Sequence, residues 1–477
     1  EQNTVIRHED VPALLVSGVA GSGKTSVLLQ RIAYLFYTHR EDLSPDQVHL
    51  ISPNPVFSTY IQNVLPEMGE TNPVTCTWDD LMRSLLPEGM NTGKGDADLS
   101  RLHLIDEGIA SLALTQADFE EICDGKARFV TSNQVDSLMH RFSNVPMGLR
   151  RITLVREELL KKLEQRLKRM AGSDAAIDEL DALSVEDQLR IFHETISPQS
   201  EAEQRALALR MLRDRYAWVR SAIEGDAWLK MDRIARRLLA SDGVAPVEWL
   251  YAKMALTGLC DPDARYVTVD EVQDYTEAQL ACMARYFPRA RFMLLGDENQ
   301  AIQEDATTFD GVARVFEGQG KPVSRCDLLI SYRSTPEITA LFAQLAHDED
   351  LEIKSVHPAG SDPRLLCFDD AAARDAGLAR IVREASERDG LTAVIMPWRS
   401  QLKALQKRED LDIPVVDDRD SLPERGVFAT TLKLAKGLEF DSVILPDVSI
   451  ASYPDDDAAR RRLYTAISRA TQEVTLM

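Results

Sequence analysis

The chain has 477 residues, with 55 Lys and Arg against 77 Asp and Glu, a net charge of −22 and a pI near 4.9. Its 44% hydrophobic and 28% charged content is that of ordinary globular protein, which excludes disorder, collagen-like repeats and coiled-coil-only architectures. No apolar run approaches the roughly 18 residues that span a bilayer, and no basic-then-apolar leader opens the chain, so the expectation is a soluble, cytoplasmic protein. Glu1 in place of an initiator Met leaves room for residues upstream. The acid excess is spread along the sequence and argues against holding nucleic acid by bulk charge. Cys76, Cys123, Cys260, Cys282, Cys326 and Cys367 form no CxxC pair, and they read as small buried apolar residues rather than disulfides or metal ligands.

In chain order, short apolar runs predict strands at Ala13–Ser17, Val48–Ser52 and Val74–Thr77. A long helical region follows. Ile152, Val155, Leu159, Leu163, Leu167 and Met170 share one helix face, and Leu209, Leu212, Tyr216, Val219 and Ile223 share another. The first of these helices carries Arg150, Arg151, Arg156, Lys161, Lys162, Arg166, Lys168 and Arg169, the densest basic stretch in the chain. A solvated face laced with Glu157, Glu158 and Glu164 and a nucleic-acid or partner contact both fit it. Strand-like runs resume at Tyr266–Val269, Phe292–Leu295 and Leu328–Ile330, then at Leu365–Phe368, Ala393–Met396, Val427–Thr430, Val443–Leu445 and Val474–Leu476. Most are continuously apolar, as strands buried on both faces of a parallel sheet must be. The reading is α/β, with two α/β units and the second starting near residue 331.

Residues 18–25, GVAGSGKT, lie between the run Ala13–Val16 and a helical stretch with Leu28, Leu29, Ile32 and Leu35. That is the context of a phosphate-binding loop. Gly18, Gly21 and Gly23 let backbone amides, including that of Ser22, turn inward as donors, and the following helix adds its positive end. Lys24 is placed to reach the β- and γ-phosphates, and the Thr25 hydroxyl to ligate Mg2+. VTVDEVQD at 267–274 puts acids at the carboxyl end of a strand, where ligands bind in parallel sheets. Asp270 would hold magnesium through water, and Glu271 would orient and deprotonate the attacking water. FMLLGDENQ at 292–300 adds Asp297 and Gln300 as reporters of the γ-phosphate.

The ordered set resembles the superfamily 1 helicases and translocases of UvrD and Rep type. Gln2 stands where that family's adenine-reading Gln lies, and DEVQD and GDENQ resemble its motifs II and III. Ser331-Tyr332-Arg333-Ser334 resembles motif IV, which implies that Tyr332 stacks on adenine and Arg333 reaches the γ-phosphate. Residues 434–441, LAKGLEFD, resemble motif V, with Gly437 in it and Glu439 at the ribose; residues 465–470, TAISRA, resemble motif VI, which makes Arg469 the second lobe's arginine finger. The resemblance covers residues 1–80 and about 262–477. It implies two RecA-like P-loop NTPase lobes, a monomer, and ATP with Mg2+ in the cleft between them. The domains expected are 1–80 and 262–330 for the first lobe, 81–261 for an all-helical insertion, and 331–477 for the second lobe.

Departures from the family pattern set the subtype. About 100 residues separate Arg333 from Lys436, which a RecA-like lobe itself consumes, leaving none for the large second-lobe subdomain of unwinding members. Thr77-Trp78-Asp79 stands where Thr-Phe-His is usual, and Lys433 where motif V has His; Asp79 would repel a phosphate backbone. These features, and residues 50–70, LISPNPVFSTYIQNVLPEMGE, resemble the HelD-type helicase-like ATPases. That resemblance implies an RNA polymerase partner, an insertion entering its main channel, and ATP-driven release of polymerase from nucleic acid. HelD proteins carry a coiled-coil arm ahead of the adenine-reading Gln, and this sequence is expected to lack it. Acidic residues 96–98 and 174–187 read either as solvated loops or as nucleic-acid mimics. Two alternatives stay open: a 3′-to-5′ DNA helicase or translocase in repair, and a transcription-complex binding protein whose ATP site sets lobe closure. DNA remains a weak partner given the net charge.

Overall fold

The computed structural model describes residues 1–53, 64–66, 69–90, 98–302, 307–346, 353–408, 410–411, 413–416 and 423–477. Most of residues 50–70 and Asp96-Ala97 lie outside the described residues. Two units are present, Glu1–Ser84 with Asp261–Met477, and Leu85–Cys260.

In the first unit, helix α1 (Gln2–Ile6) precedes a six-stranded parallel sheet. Its strands are β1 (Ala13–Gly18), β2 (Val48–Ile51), β3 (Val74–Cys76), β4 (Tyr266–Val269), β5 (Arg291–Gly296) and β6 (Val323–Leu328), in spatial order β3-β2-β4-β5-β1-β6. The central strands are buried along nearly their whole length, which is why they read as continuous apolar runs. Helix α2 (Lys24–Thr38) packs Val27, Leu28, Ile32, Leu35 and Phe36 into a core shared with Val16, Leu50 and Leu295. Strand β6 starts earlier than the apolar run suggested: it is an edge strand carrying Arg325 and Asp327 outward, and Ile330–Ser331 pairs instead with Lys354–Ser355. Trp78 is buried at the start of helix Trp78–Leu85, and it is Asp80, not Asp79, that accepts from the Thr77 amide and hydroxyl.

The second unit is helical apart from a short antiparallel hairpin, Ile122–Asp124 with Ala127–Val130, that helical periodicity did not anticipate. Gly125 turns it with φ +54°. Helix α3 (Leu149–Ala171) buries Ile152, Val155, Leu159, Leu163 and Leu167 on one face. Its basic residues are largely used within the unit. Arg156 chelates buried Asp226 at 2.8 and 2.6 Å, Arg151 donates to the Val145 and Ser143 carbonyls, Arg166 stacks on Phe129, and Lys161 and Lys168 pair with Glu158 and Glu164. The second predicted helix breaks at Tyr216 into Glu201–Arg215 and Ala217–Glu224. Residues 174–187 contain helix Asp174–Asp181 and the start of Val185–Phe192, so that stretch is not a solvated loop.

Back in the first unit, a second parallel sheet holds β7 (Arg364–Leu365), β8 (Leu391–Met396), β9 (Gly426–Thr431), β10 (Phe440–Leu445) and β11 (Ala470–Leu476), in order β7-β11-β10-β8-β9. Helix α4 (Asp457–Ile467) packs Tyr464 and Ile467 against Ala393, Ile395, Phe428 and Val474. Strand β7 is shorter than expected because it is an edge and Leu365 is exposed. None of the six cysteines is in a disulfide; Cys282 is buried, Cys76, Cys260 and Cys326 are half-buried and Cys123 and Cys367 are exposed, against the expectation that all were core residues.

In the helical unit Asp118 is fully buried, accepting from the Thr115 amide at 2.8 Å and from Arg233 and Arg237. Burial pushes its pKa up, but the Thr115 amide and the two guanidiniums outweigh that and hold it below the usual value. A depressed folded pKa means a contribution fully present above about pH 4 and lost as the pH falls through the folded pKa. Replacing Asp118→Asn should destabilise this unit by about 2 kcal/mol, less than the 3–5 of a fully buried pair because both arginines stay partly in water. Thermal melts should show the loss near neutrality shrinking at acid pH; a loss that does not depend on pH would contradict the assignment.

Candidate active site

Strand β1 ends at Gly18 and α2 begins at Lys24, so the glycine-rich loop sits at the carboxyl edge of the first sheet. Gly21 and Gly23 hold φ of +74° and +79°, which glycine adopts without strain. A Cβ at Gly21 would stand 2.7 Å from Ser331 Oγ and Arg333 Cβ, one at Gly23 2.6 Å from Gln2 Nε2, and one at Gly18 2.6 Å from Lys24 Cγ. At Gly21 the close approach of the Ser331–Arg333 segment leaves no room for a side chain, while at Gly23 it is the left-handed backbone that disfavours one. Lys24 Nζ donates to the Gly18 and Val19 carbonyls at 2.7 and 3.3 Å, Gln2 Nε2 to the Ser22 carbonyl at 2.9 Å, and the Tyr332 amide to the Gly21 carbonyl at 2.8 Å. The Ser22 and Ser331 hydroxyls are buried without a protein partner. Orphan donors beside a glycine loop and a lysine suit a phosphate-bearing ligand.

Asp270 and Glu271 leave the carboxyl end of β4 together. Glu271 has φ +49°, a left-handed backbone that non-glycine residues rarely hold and that clusters at functional sites. Burial, then the neighbouring Glu271 charge, push the Asp270 carboxyl up to about 7. Burial acts on Glu271 in the same direction, but Lys436, Lys24, a 2.6 Å hydrogen bond from Gln273 Nε2, and Arg469 outweigh it and keep this carboxylate below its usual range. One of two adjacent acids is thus held ionised at neutral pH by cations from both halves of the unit. Buried Asp270 and the Thr25 hydroxyl in the first turn of α2 are hard oxygen donors, a set that fits Mg2+ completed by substrate phosphates. Among the described residues no cluster of three His, Cys, Asp or Glu makes an all-protein metal site.

The second sheet's elements supply the opposing side. Arg469 is 2% exposed and donates to Gln300 Oε1 at 2.8 Å, to the Thr465 carbonyl at 3.1 Å and to Ser468 Oγ at 3.1 Å. Burial and the nearby Arg333 lower its pKa to about 10, so it remains a cation at neutral pH. Gln300 Nε2 is fixed by Asp297 at 2.7 Å, and Asp297 also accepts from Tyr464 at 3.2 Å. Arg333 pairs with Glu439, Gly437 turns with φ +84°, and the Tyr332 ring is half exposed.

The structure thus gathers Lys24, Asp270, Glu271, Gln300, Arg333 and Arg469, with Gln2, Ser22 and Glu439 around them; Gly437 follows Lys436 in a left-handed turn that faces open space. Sequence reading missed one link. Lys436 Nζ reaches Asp274 at 2.5 Å and the Gln300 carbonyl at 2.8 Å, both partners nearly buried. Both residues lie inside the quoted motifs, but their pairing spans 162 positions and leaves no local signal.

Two family models match. The UvrD/REP helicase N-terminal domain covers residues 1–304, and the UvrD-like helicase C-terminal domain covers residues 426–477. No curated protein matches. Among solved structures, the C-terminal domain of a possible DNA helicase from Lactobacillus plantarum WCFS1 shares 27% identity over 31% of this chain and 86% of its own, with a TM-score of 0.26. Among the described residues no helix is long and apolar enough to cross a membrane.

Because Lys436 is the leading charge that keeps Glu271 ionised, Lys436→Met should raise the Glu271 pKa. The acid limb of the pH–rate profile for ATP turnover should then move to higher pH. A limb that stays in place would show that Lys436 has no electrostatic role.

Proposed function

The chain belongs to the UvrD/REP helicase family, and on that premise we propose that this superfamily 1 helicase-type motor is an ATPase of HelD type that releases RNA polymerase from nucleic acid. The ATPase reading is supported best by the convergence of cations from both sheets on Glu271. In the proposed turnover, the glycine loop and Lys24 hold the β- and γ-phosphates, with Gln2 and Tyr332 at the base and Glu439 at the ribose. Thr25 and Asp270 would hold Mg2+, which when bound would offset the negative charge of the phosphate oxygens. Glu271 accepts the proton of the attacking water, and Arg333 and Arg469 stabilise the charge that develops on the transferred phosphoryl. Gln300 links that event to Arg469 through their 2.8 Å bond. Loss of the γ-phosphate then removes a group gripped from both sides, so the cycle opens and closes the cleft.

The HelD assignment is supported by how the chain between Arg333 and Lys436 is used. Helices Pro336–Ala343, Ala371–Ser386 and Arg399–Gln406 lie in that interval, together with β7 to β9, which are three of the five strands of the second sheet. The acidic net charge favours a basic protein surface over a duplex as the track. The family models favour a second reading, a 3′-to-5′ DNA helicase of UvrD/Rep type.

Lys24→Ala and Glu271→Gln should each lower ATP turnover by about 100-fold or more. Wild-type rates in both would remove the active site proposed. Incubation with core RNA polymerase should give a co-eluting complex and ATP-dependent release of bound nucleic acid. Robust strand separation on a tailed duplex without polymerase binding would instead establish the DNA helicase.

A further inference from the structure

The edge of the first sheet opposite the glycine loop forms a second concave site. Residues just ahead of five adjacent strands line one cavity of about 750 Å³: Gln47 before β2, Arg265 before β4, Arg289 to Arg291 at β5, Pro12 before β1 and Lys321 before β6. Four cations therefore meet there, drawn from three separate loops of a strongly acidic chain. The two acids of the lining do not balance them. Asp10 is already engaged by Arg31 at 3.3 Å, Arg291 at 3.3 Å and the Tyr266 hydroxyl at 2.8 Å, and Asp263 lies in the loop before Arg265.

Lys321 is the most constrained of the four. It is 8% exposed, donates to the Pro288 and Ala290 carbonyls at 2.9 Å each, and stands 5.2 Å from the Phe292 ring centre. Among the described residues no carboxylate pairs with it, and burial lowers its pKa. A recessed cation with neutral partners is costly unless an anion completes its environment. Arg265 donates to the Asp42 carbonyl, and exposed Arg289 has no partner among the described residues. We propose that this cavity binds a small multivalent phosphate anion, an oligophosphate either free or carried on a nucleotide. Guanidinium forks around a recessed ammonium match several phosphate oxygens at once, and the volume lies in the range of small-ligand sites. A bound anion would tie together the loops feeding strands β4, β5 and β6.

The test uses the full chain carrying Lys24→Ala, which disables the glycine loop, and inorganic tripolyphosphate as the probe in isothermal titration at low salt. One site is expected, with affinity weakened at least tenfold by Arg289→Glu and by Lys321→Gln, and unchanged by Arg380→Glu, a surface arginine of the second sheet's layer. Arg289 is exposed, so its variant keeps the proposal testable if Lys321→Gln does not fold. A parallel titration with ADP distinguishes the sources: binding with the same Arg289 dependence assigns the site to a nucleotide, and tripolyphosphate binding alone assigns it to the free anion. No binding by the Lys24→Ala chain, or an equal loss in Arg289→Glu and Arg380→Glu, overturns the proposal. ATP turnover of Arg289→Glu in the otherwise wild-type chain should be unchanged, so failure here and failure of the ATPase reading are separable.

Discussion

Two carboxylates emerge side by side from the end of one buried strand, and the structure is organised around supplying them with positive charge. Asp270 and Glu271 cannot both be ionised cheaply in a site that excludes water. Lys24 comes from the loop after β1, while Lys436 and Arg469 come from elements of the second sheet. The acid held ionised is therefore a product of both halves. Hydrolytic competence becomes a property of their apposition and is not stored in the first sheet alone. Lys436 to Asp274 and Arg469 to Gln300 are two of the hydrogen bonds that join elements of the two sheets, alongside those from Tyr464 to Asp297 and from Arg461 to the Ala301 carbonyl.

That arrangement also explains the glycine requirement. The loop at 18–25 is approached by Gln2, Ser331 and Arg333, so its glycines serve close packing as much as ligand approach. The same crowding leaves the Ser22 and Ser331 hydroxyls buried and unmet by protein. Tyr464 ties the loop to the third motif, accepting from the Ala20 amide and donating to Asp297. An unbroken chain of hydrogen bonds therefore runs from the phosphate loop through Tyr464 and Asp297 to Gln300 and Arg469.

Much of this was legible in the sequence, for a physical reason. Strands buried on both faces, such as β1, β4, β5 and β8, leave continuous apolar runs, and a phosphate loop leaves glycines at fixed spacing. Edge strands do not: β6 alternates, and β7 is two residues long with an exposed Leu365. The hairpin at 122–130 was missed because its strands are too short to show a period. The break at Tyr216 was hidden because its buried ring continues the apolar face of both flanking helices. The Asp274–Lys436 pair and the cation cluster around Lys321 were unreadable because they join segments that only the folded topology brings together.

If catalysis depends on groups from both sheets, the most direct measurement compares nucleotide binding and turnover in Arg469→Ala. Binding should be kept within a few-fold and turnover reduced by about 100-fold, the loss expected when one transition-state contact worth about 3 kcal/mol is removed. An equal loss of binding and turnover would mean that Arg469 only maintains structure, and would contradict the account.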